Sequence, residues 1–186
     1  MEIIKLWADD GSDFQPYLET YLLKGAKKPL GAVIVCPGGG YAVRAPHEAA
    51  PIAQKFNELG YHAFVLHYRV APYHFPDQTR DVLRAVRIVR ANAEKWGVVK
   101  DNIAVSGFSA GGHLCLSAGT HFEDVDSTAG DKYDAVSPRP DALVGCYPVV
   151  NITEPFGHGG SGKNLLGNRY DDKKFAELFD LEKRVT

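Results

Sequence analysis

The chain has 186 residues, 45% hydrophobic and 24% charged, with a formal net charge of −2. That length suits one unit of ~100–200 residues, and the composition is that of an ordinary globular chain rather than a disordered or membrane-spanning one. The near-neutral balance supplies no basic field for nucleic acid or an anionic membrane, so neither is expected as a partner.

Residues 2–7 and 17–23 are short strand-like runs separated by Asp9-Asp-Gly-Ser12, which predicts an antiparallel opening. Gly31 to Cys36 is a continuous apolar run stopped by Pro37 and three glycines, as in a strand buried on both faces. Residues 47–58 have helical periodicity with Ala50, Ala53, Phe56 and Leu59 near one face, and Gly60 ends them. Tyr61 to Tyr68 is a further strand. Pro76 and Asp77 open a long helix to about Lys95, with Val82, Ala85, Val86 and Val89 as its buried stripe. Asn102 to Ser106 is a strand, Ala110 to Gly119 a helix, and Asp141 to Tyr147 another strand. Residues 148–163 are rich in Gly and Pro and read as a loop, followed by short amphipathic helices around 162–167 and 171–180. Strand–helix alternation predicts a mostly parallel, doubly wound α/β sheet with helices on both faces. In such sheets, chemistry gathers at the carboxyl ends of the strands.

The longest clean apolar runs, such as Ala32 to Cys36, are too short to span a bilayer. Residues 1–10 hold no long apolar stretch of the kind a secretory leader uses. Cys36, Cys115 and Cys146 lie in apolar segments at unrelated spacings, which predicts buried free thiols and a reducing, cytoplasmic setting. No CxxC or HxxxH pair suggests zinc.

Two glycine-rich turns carry the chemistry. Gly107-Phe-Ser-Ala-Gly-Gly112 is a G-x-S-x-G sequence between a predicted strand and a predicted helix. A serine on so sharp a turn projects its hydroxyl above the sheet, and small residues two before and two after let strand and helix approach. Ser109 is the candidate nucleophile, and the Ala110 N–H is a candidate donor to the oxygen of an attacked carbonyl. Pro37-Gly-Gly-Gly-Tyr41 follows an earlier strand, where esterases place the second donor, which makes Gly39 and Gly40 candidates for the oxyanion hole.

With Tyr68-Arg-Val-Ala-Pro72 and Tyr147-Pro148, these motifs make the chain resemble the bacterial acetyl-xylan-esterase-like branch of the α/β-hydrolases, related to the hormone-sensitive-lipase group. The resemblance covers nearly the whole chain. One departure is Pro37, where an HGGG motif has His. The resemblance implies residues 1–186 to be one partial α/β-hydrolase domain, and hydrolysis of small acyl esters, acetyl-type above all and including those of carbohydrates, without metal or cofactor. Only about thirty residues precede the Gly31 strand, and they read as strands rather than a helical cap, which suits a bulky polar leaving group. Tyr41, Tyr147 and His158 are candidate substrate contacts. A serine peptidase of the same fold and a non-catalytic hydrolase-fold binding protein are the alternatives.

The order Ser, acid, His leaves few candidates for the base. His113 lies one turn into the nucleophile helix and His121 ends it, whereas His62 and His67 precede Ser109. His158, oriented by Asp141 or Asp124, is the one arrangement in the right order. The resemblance places the family's Asp and His after two further strands. The sequence is therefore expected to stop short of them, leaving the 141–147 strand as an edge that invites a homodimer. Gly157 to Asn164 nearly spells a phosphate-binding loop, but Asn164 stands where magnesium needs Ser or Thr.

Overall fold

Runs of β-branched and aromatic residues between glycine and proline stops set the sheet. The computed structural model describes residues 1–9 and 11–185. Within them lie strands β1 (Ile3–Lys5), β2 (Tyr17–Tyr21), β3 (Leu30–Cys36), β4 (His62–His67), β5 (Val98–Phe108) and β6 (Ala142–Cys146). They hydrogen-bond in the order β1-β2-β4-β3-β5-β6. The β1–β2 and β2–β4 pairs are antiparallel, and the β4–β3, β3–β5 and β5–β6 pairs are parallel. The antiparallel opening and parallel body both match the sequence pattern. β5 is longer than expected because an irregularity in its pairing with β3 lets Val98 face Leu30 before the regular ladder resumes at Ile103.

The helices are α1 (Ala50–Glu58), α2 (Asp77–Ala91), α3 (Ala93–Trp96), α4 (Ala110–Thr120), α5 (Gly159–Leu166) and α6 (Lys173–Ala176). Period-two alternation sorts the strand side chains between two layers. Phe64 and Leu66 of β4 join Ile34, Ile103, Val105 and the buried stripe of α2 in the larger core. Their neighbours Ala63 and Val65 pack against Ala53 and Phe56 of α1 on the opposite face. No helix among the described residues is long and apolar enough to cross a membrane.

Three boundaries differ from the sequence reading. The helix expected to about Lys95 breaks at Asn92, whose amide donates to the Ile88 carbonyl at 2.8 Å, and Gly97 in the left-handed region ends the short α3. The loop expected to 163 ends early, because the His158 ring accepts from the Ser161 N–H and starts α5 at Gly159. The helix expected over 171–180 is only one turn, α6, followed by 3-10 turns at Glu177–Phe179 and Leu181–Arg184.

The segment after β4 carries a buried ionic anchor. Asp81 of α2 is wholly buried and accepts from Arg69 Nη2 at 2.7 Å, Arg69 Nε at 3.0 Å, the Arg69 backbone at 2.9 Å and Trp7 Nε1 at 2.7 Å. Burial pushes the Asp81 carboxyl upward and the Arg69 contacts oppose that shift. The anchor fixes Tyr68 to Ala71, which touch the glycine turn after β3. Asp81→Ala is expected to cost about 3 kcal/mol, because it strips a largely buried guanidinium of its main partner. Urea unfolding of the two proteins measures this, and a loss under ~0.5 kcal/mol would contradict the anchor's role.

Candidate active site

The end of β5 and the start of α4 meet at Ser109, which has φ 51° and ψ −120°. An L-residue rarely adopts that backbone, so the surroundings must hold it. Three backbone hydrogen bonds do so. The Ser109 N–H donates to the Cys146 carbonyl at 3.2 Å, and the Ser109 carbonyl accepts from Val149 at 3.0 Å and His113 at 3.1 Å. The flanking glycines are required by contact: a Cβ on Gly107 would overlap the Gly111 carbonyl, and one on Gly111 would overlap the carbonyl oxygens of Cys36 and Pro37. Ser109 is half-buried, and among the described residues nothing hydrogen-bonds its hydroxyl.

The glycine turn after β3 lies against this serine. A Cβ on Gly38 would stand 3.1 Å from Ser109 Cβ, 2.6 Å from the Phe108 carbonyl and 2.8 Å from Glu48 Oε2. Side chains from four separate segments hold the turn. Tyr68 donates its hydroxyl to the Pro37 carbonyl at 2.5 Å. Glu48 accepts the Gly38 N–H at 2.7 Å. Asn164 of α5 donates to the Gly40 carbonyl at 2.9 Å. The Tyr41 hydroxyl meets His113 Nδ1 at 2.8 Å. The N–H groups of Gly39, Gly40 and Ala110 take part in no hydrogen bond among the described residues.

The end of β6 forms the third wall. Tyr147 has φ 36°, is 67% exposed, and places its ring centroid 5.8 Å from that of Phe108. Its hydroxyl donates to Glu48 Oε1 at 2.6 Å, and this bond is the largest cause pushing the phenol up to about 12. Among the described residues, no group of three or more His, Cys, Asp or Glu is placed to hold a metal ion. Cys36 and Cys115 are buried and Cys146 half-buried, all as free thiols.

Several expectations need correction. Tyr41, read as a substrate contact, is wholly buried, so its side chain braces the turn from beneath and offers no surface to a ligand. The arrangement of His158 with Asp141 or Asp124 is not formed. His158 Nδ1 is engaged with the Ser161 hydroxyl at 2.8 Å, Asp141 binds Arg90 and the Ile103 N–H at the far end of the sheet, and Asp124 pairs with Arg184. The same His158 cap uses the Ser161 N–H at the start of α5, so the phosphate-loop resemblance has no free cradle there. Sequence reasoning missed Glu48, Asn164 and Tyr68 as partners of the glycine turn. The first two carried no signal: Glu48 lies on a separate turn ten residues on, and Asn164 is remote in the chain. Tyr68 was noticed only as part of a motif.

The BD-FAE family profile matches residues 18–179. The chain is 37% identical over 177 residues to endo-1,4-beta-xylanase B of Butyrivibrio fibrisolvens, covering 92% of this chain and 27% of that protein. It is 32% identical over 162 residues to an acetylxylan esterase of Xylanibacter ruminicola, covering 86% of this chain and 31% of that protein. The chain thus spans less than a third of these curated relatives. A crystal structure of an acetyl ester-xyloside bifunctional hydrolase from Caldicellulosiruptor lactoaceticus superposes with a TM-score of 0.90 at 41% identity, covering all of this chain and 70% of that one. The architecture is the α/β-hydrolase fold expected from the motifs.

His113 makes a pH prediction. The Phe179 carbonyl can only accept, so Nε2 carries the ring proton at 2.9 Å from it and Nδ1 accepts from Tyr41. Burial lowers the imidazole to about 4. An unfolded histidine protonates near ~6.5, so His113 leaves stability unchanged above that pH and lowers it progressively as pH falls toward about 4. The loss should reach on the order of 3 kcal/mol at the acid end. His113→Gln, which keeps a donor and an acceptor but does not titrate, should flatten the stability profile between pH 6.5 and 4.5 in urea unfolding. An unaltered slope would show that His113 is not buried neutral.

Proposed function

The chain belongs to the BD-FAE family, and we propose that it carries the nucleophile side of a serine carboxylic-ester hydrolase acting on acetyl-type esters of carbohydrates. The observation that carries the reading is the Ser109 turn: a strained, half-buried serine whose hydroxyl, like the N–H groups of Ala110 and of Gly39 and Gly40 in the adjoining glycine turn, takes part in no hydrogen bond among the described residues. Ser109 Oγ attacks the ester carbonyl. The oxygen that gains charge is received by the N–H of Ala110, at the start of α4, and of Gly39 or Gly40. Donors fixed in advance favour the tetrahedral state over the flat ester. Collapse expels the sugar alcohol and leaves an acyl-Ser109, which water hydrolyses in the second half. A hydroxyl needs a base to lose its proton, so the reading requires an imidazole and its orienting carboxylate from outside the described residues.

The named relatives support the substrate class, since one is described as an acetylxylan esterase and another as an acetyl ester-xyloside hydrolase. Tyr147 and His158, both exposed, are the side chains we assign to the leaving-group side. The three free thiols fit a reducing, cytoplasmic setting. In the 186-residue chain by itself, Leu143 and Val144 on the edge strand β6 are partly exposed, which favours a homodimer through that strand.

Acetate release from acetylated xylan by the longest product of the gene, against its Ser109→Ala variant, tests the reading. The variant is expected to lose on the order of 10⁶ in turnover. Retention of most activity would remove Ser109 from the mechanism. The 186-residue chain alone should be labelled by a fluorophosphonate far more slowly than the longer product. Fast labelling that is lost on His158→Ala would identify His158 as the base after all.

A further inference from the structure

We propose that Glu48 is a positioning residue of this site, joining the oxyanion turn to Tyr147, and that the Tyr147 ring is the platform on which the sugar of the leaving group lies. This rests on the ester-hydrolase reading above and names the parts that read the leaving group.

Glu48 ends the 3-10 turn Pro46–Glu48, ten residues beyond the turn it serves, and is only 7% exposed. Carboxylates are seldom buried unless paired, so its partners define its task. Each oxygen receives a different loop: Oε2 accepts the Gly38 N–H at 2.7 Å and Oε1 accepts the Tyr147 hydroxyl at 2.6 Å. The His47 ring also lies 3.7 Å from Oε1, with its side chain 80% exposed. A carboxylate is acceptor-only, so it satisfies two donors with no hydrogen of its own to misdirect. Committing the Gly38 N–H to Glu48 leaves the next two N–H groups, those of Gly39 and Gly40, as the uncommitted donors of the turn.

The second arm reaches the substrate side. Tyr147 follows Cys146, whose carbonyl receives the Ser109 N–H, and precedes Val149, whose N–H binds the Ser109 carbonyl. Its ring is therefore fixed relative to the nucleophile by the chain on both sides, in a strained conformation at φ 36°. An exposed ring 67% open to solvent would turn freely if only its backbone were held. The Glu48 contact pins its tip. A fixed aromatic with one wet end suits a ligand that has both an apolar face and hydroxyls, as a pyranose does. Tyr147 and Gly38 are more than a hundred residues apart, and one side chain sets their spacing.

The test uses the 186-residue chain with Glu48→Gln, Glu48→Ala, Tyr147→Phe and Tyr147→Ala variants. The Gly38 amide proton, bonded to a carboxylate, should resonate downfield in ¹H–¹⁵N spectra. It should move upfield in Glu48→Ala and also shift in Tyr147→Phe through the shared carboxylate. Fluorophosphonate labelling of Ser109 should slow ~10–100-fold in Glu48→Ala, the effect of a hole displaced by a fraction of an ångström. Glu48→Gln, which keeps one acceptor and offers Tyr147 an amide, should restore most of that rate. Xylotriose should perturb resonances around Tyr147 in the parent chain and much less in Tyr147→Ala. An unmoved Gly38 amide in the Glu48 variants, or parental labelling by Glu48→Ala, overturns the bridge. Equal xylotriose perturbations with and without the Tyr147 ring overturn the platform. If Glu48→Ala fails to fold, the Gly38 shift in Glu48→Gln and Tyr147→Phe still decides the bridge. A longer product whose Ser109 takes no label would count against the ester-hydrolase reading, while the Gly38 amide would decide the bridge by itself.

Discussion

The site depends on one close approach of backbone. β5 must turn into α4 within a single residue while the end of β3 passes beside it, and there is no room at Gly107 or Gly111 for even a methyl group. That approach forces Ser109 into its positive-φ conformation, which costs roughly 1–3 kcal/mol when nothing compensates. Compensation comes from the neighbouring parallel strand. Cys146 and Val149 clasp both backbone groups of Ser109, so the Ser109 turn and the end of β6 are a single hydrogen-bonded unit. Pro148, between those two residues, fills the space over Gly112.

The glycine turn after β3 has the opposite problem, since three consecutive glycines carry no side chain with which to fix themselves. The chain solves this from outside. Tyr68, Glu48, Asn164 and the Tyr41–His113 pair reach it from four elements, and the first of these is itself held through the Arg69–Asp81 anchor. A turn of flexible residues that must be held from outside explains why so many buried polar groups gather at this edge of the sheet. Donors that do not need to reorganise during reaction are the ones that lower a barrier. The three described residues other than glycine with positive φ, Tyr41, Ser109 and Tyr147, sit on these same three loops. Their strain is concentrated where the chemistry is assigned; Ser109 and Tyr41 are each hydrogen-bonded on two sides, and Tyr147 is tied by its hydroxyl to Glu48.

Much of this was legible in the sequence, and the reason differs from part to part. The parallel body followed from apolar runs such as Gly31 to Cys36, because a strand buried on both faces has no polar side to disguise it. Ser109 and the turn at 38–40 followed from glycine spacing, because steric exclusion acts locally and leaves a local pattern. The arrangement of His158 with Asp141 or Asp124 is not formed, and chain order cannot reveal that its ring is occupied as the cap of α5. Tyr41 was misjudged because a residue beside a glycine turn can point either into the cleft or beneath it, and only packing decides. Glu48 had no pattern at all. Its partners at 38 and 147 are brought to it by the sheet, and nothing in the spacing of three residues says that one carboxylate will meet both.

The central claim is that Ser109, Ala110 and the Gly39–Gly40 turn form one reacting centre. A crystal structure of the protein covalently phosphonylated at Ser109 tests it most directly, because the phosphoryl oxygen occupies the place of the charged oxygen in acyl transfer. The account predicts phosphorus on Ser109 Oγ, with that oxygen within hydrogen-bond distance of the Ala110 N–H and of the Gly39 or Gly40 N–H, and no displacement of the Gly38–Glu48 contact. A phosphoryl oxygen turned toward solvent, or a phosphonate carried by any other residue, would contradict it.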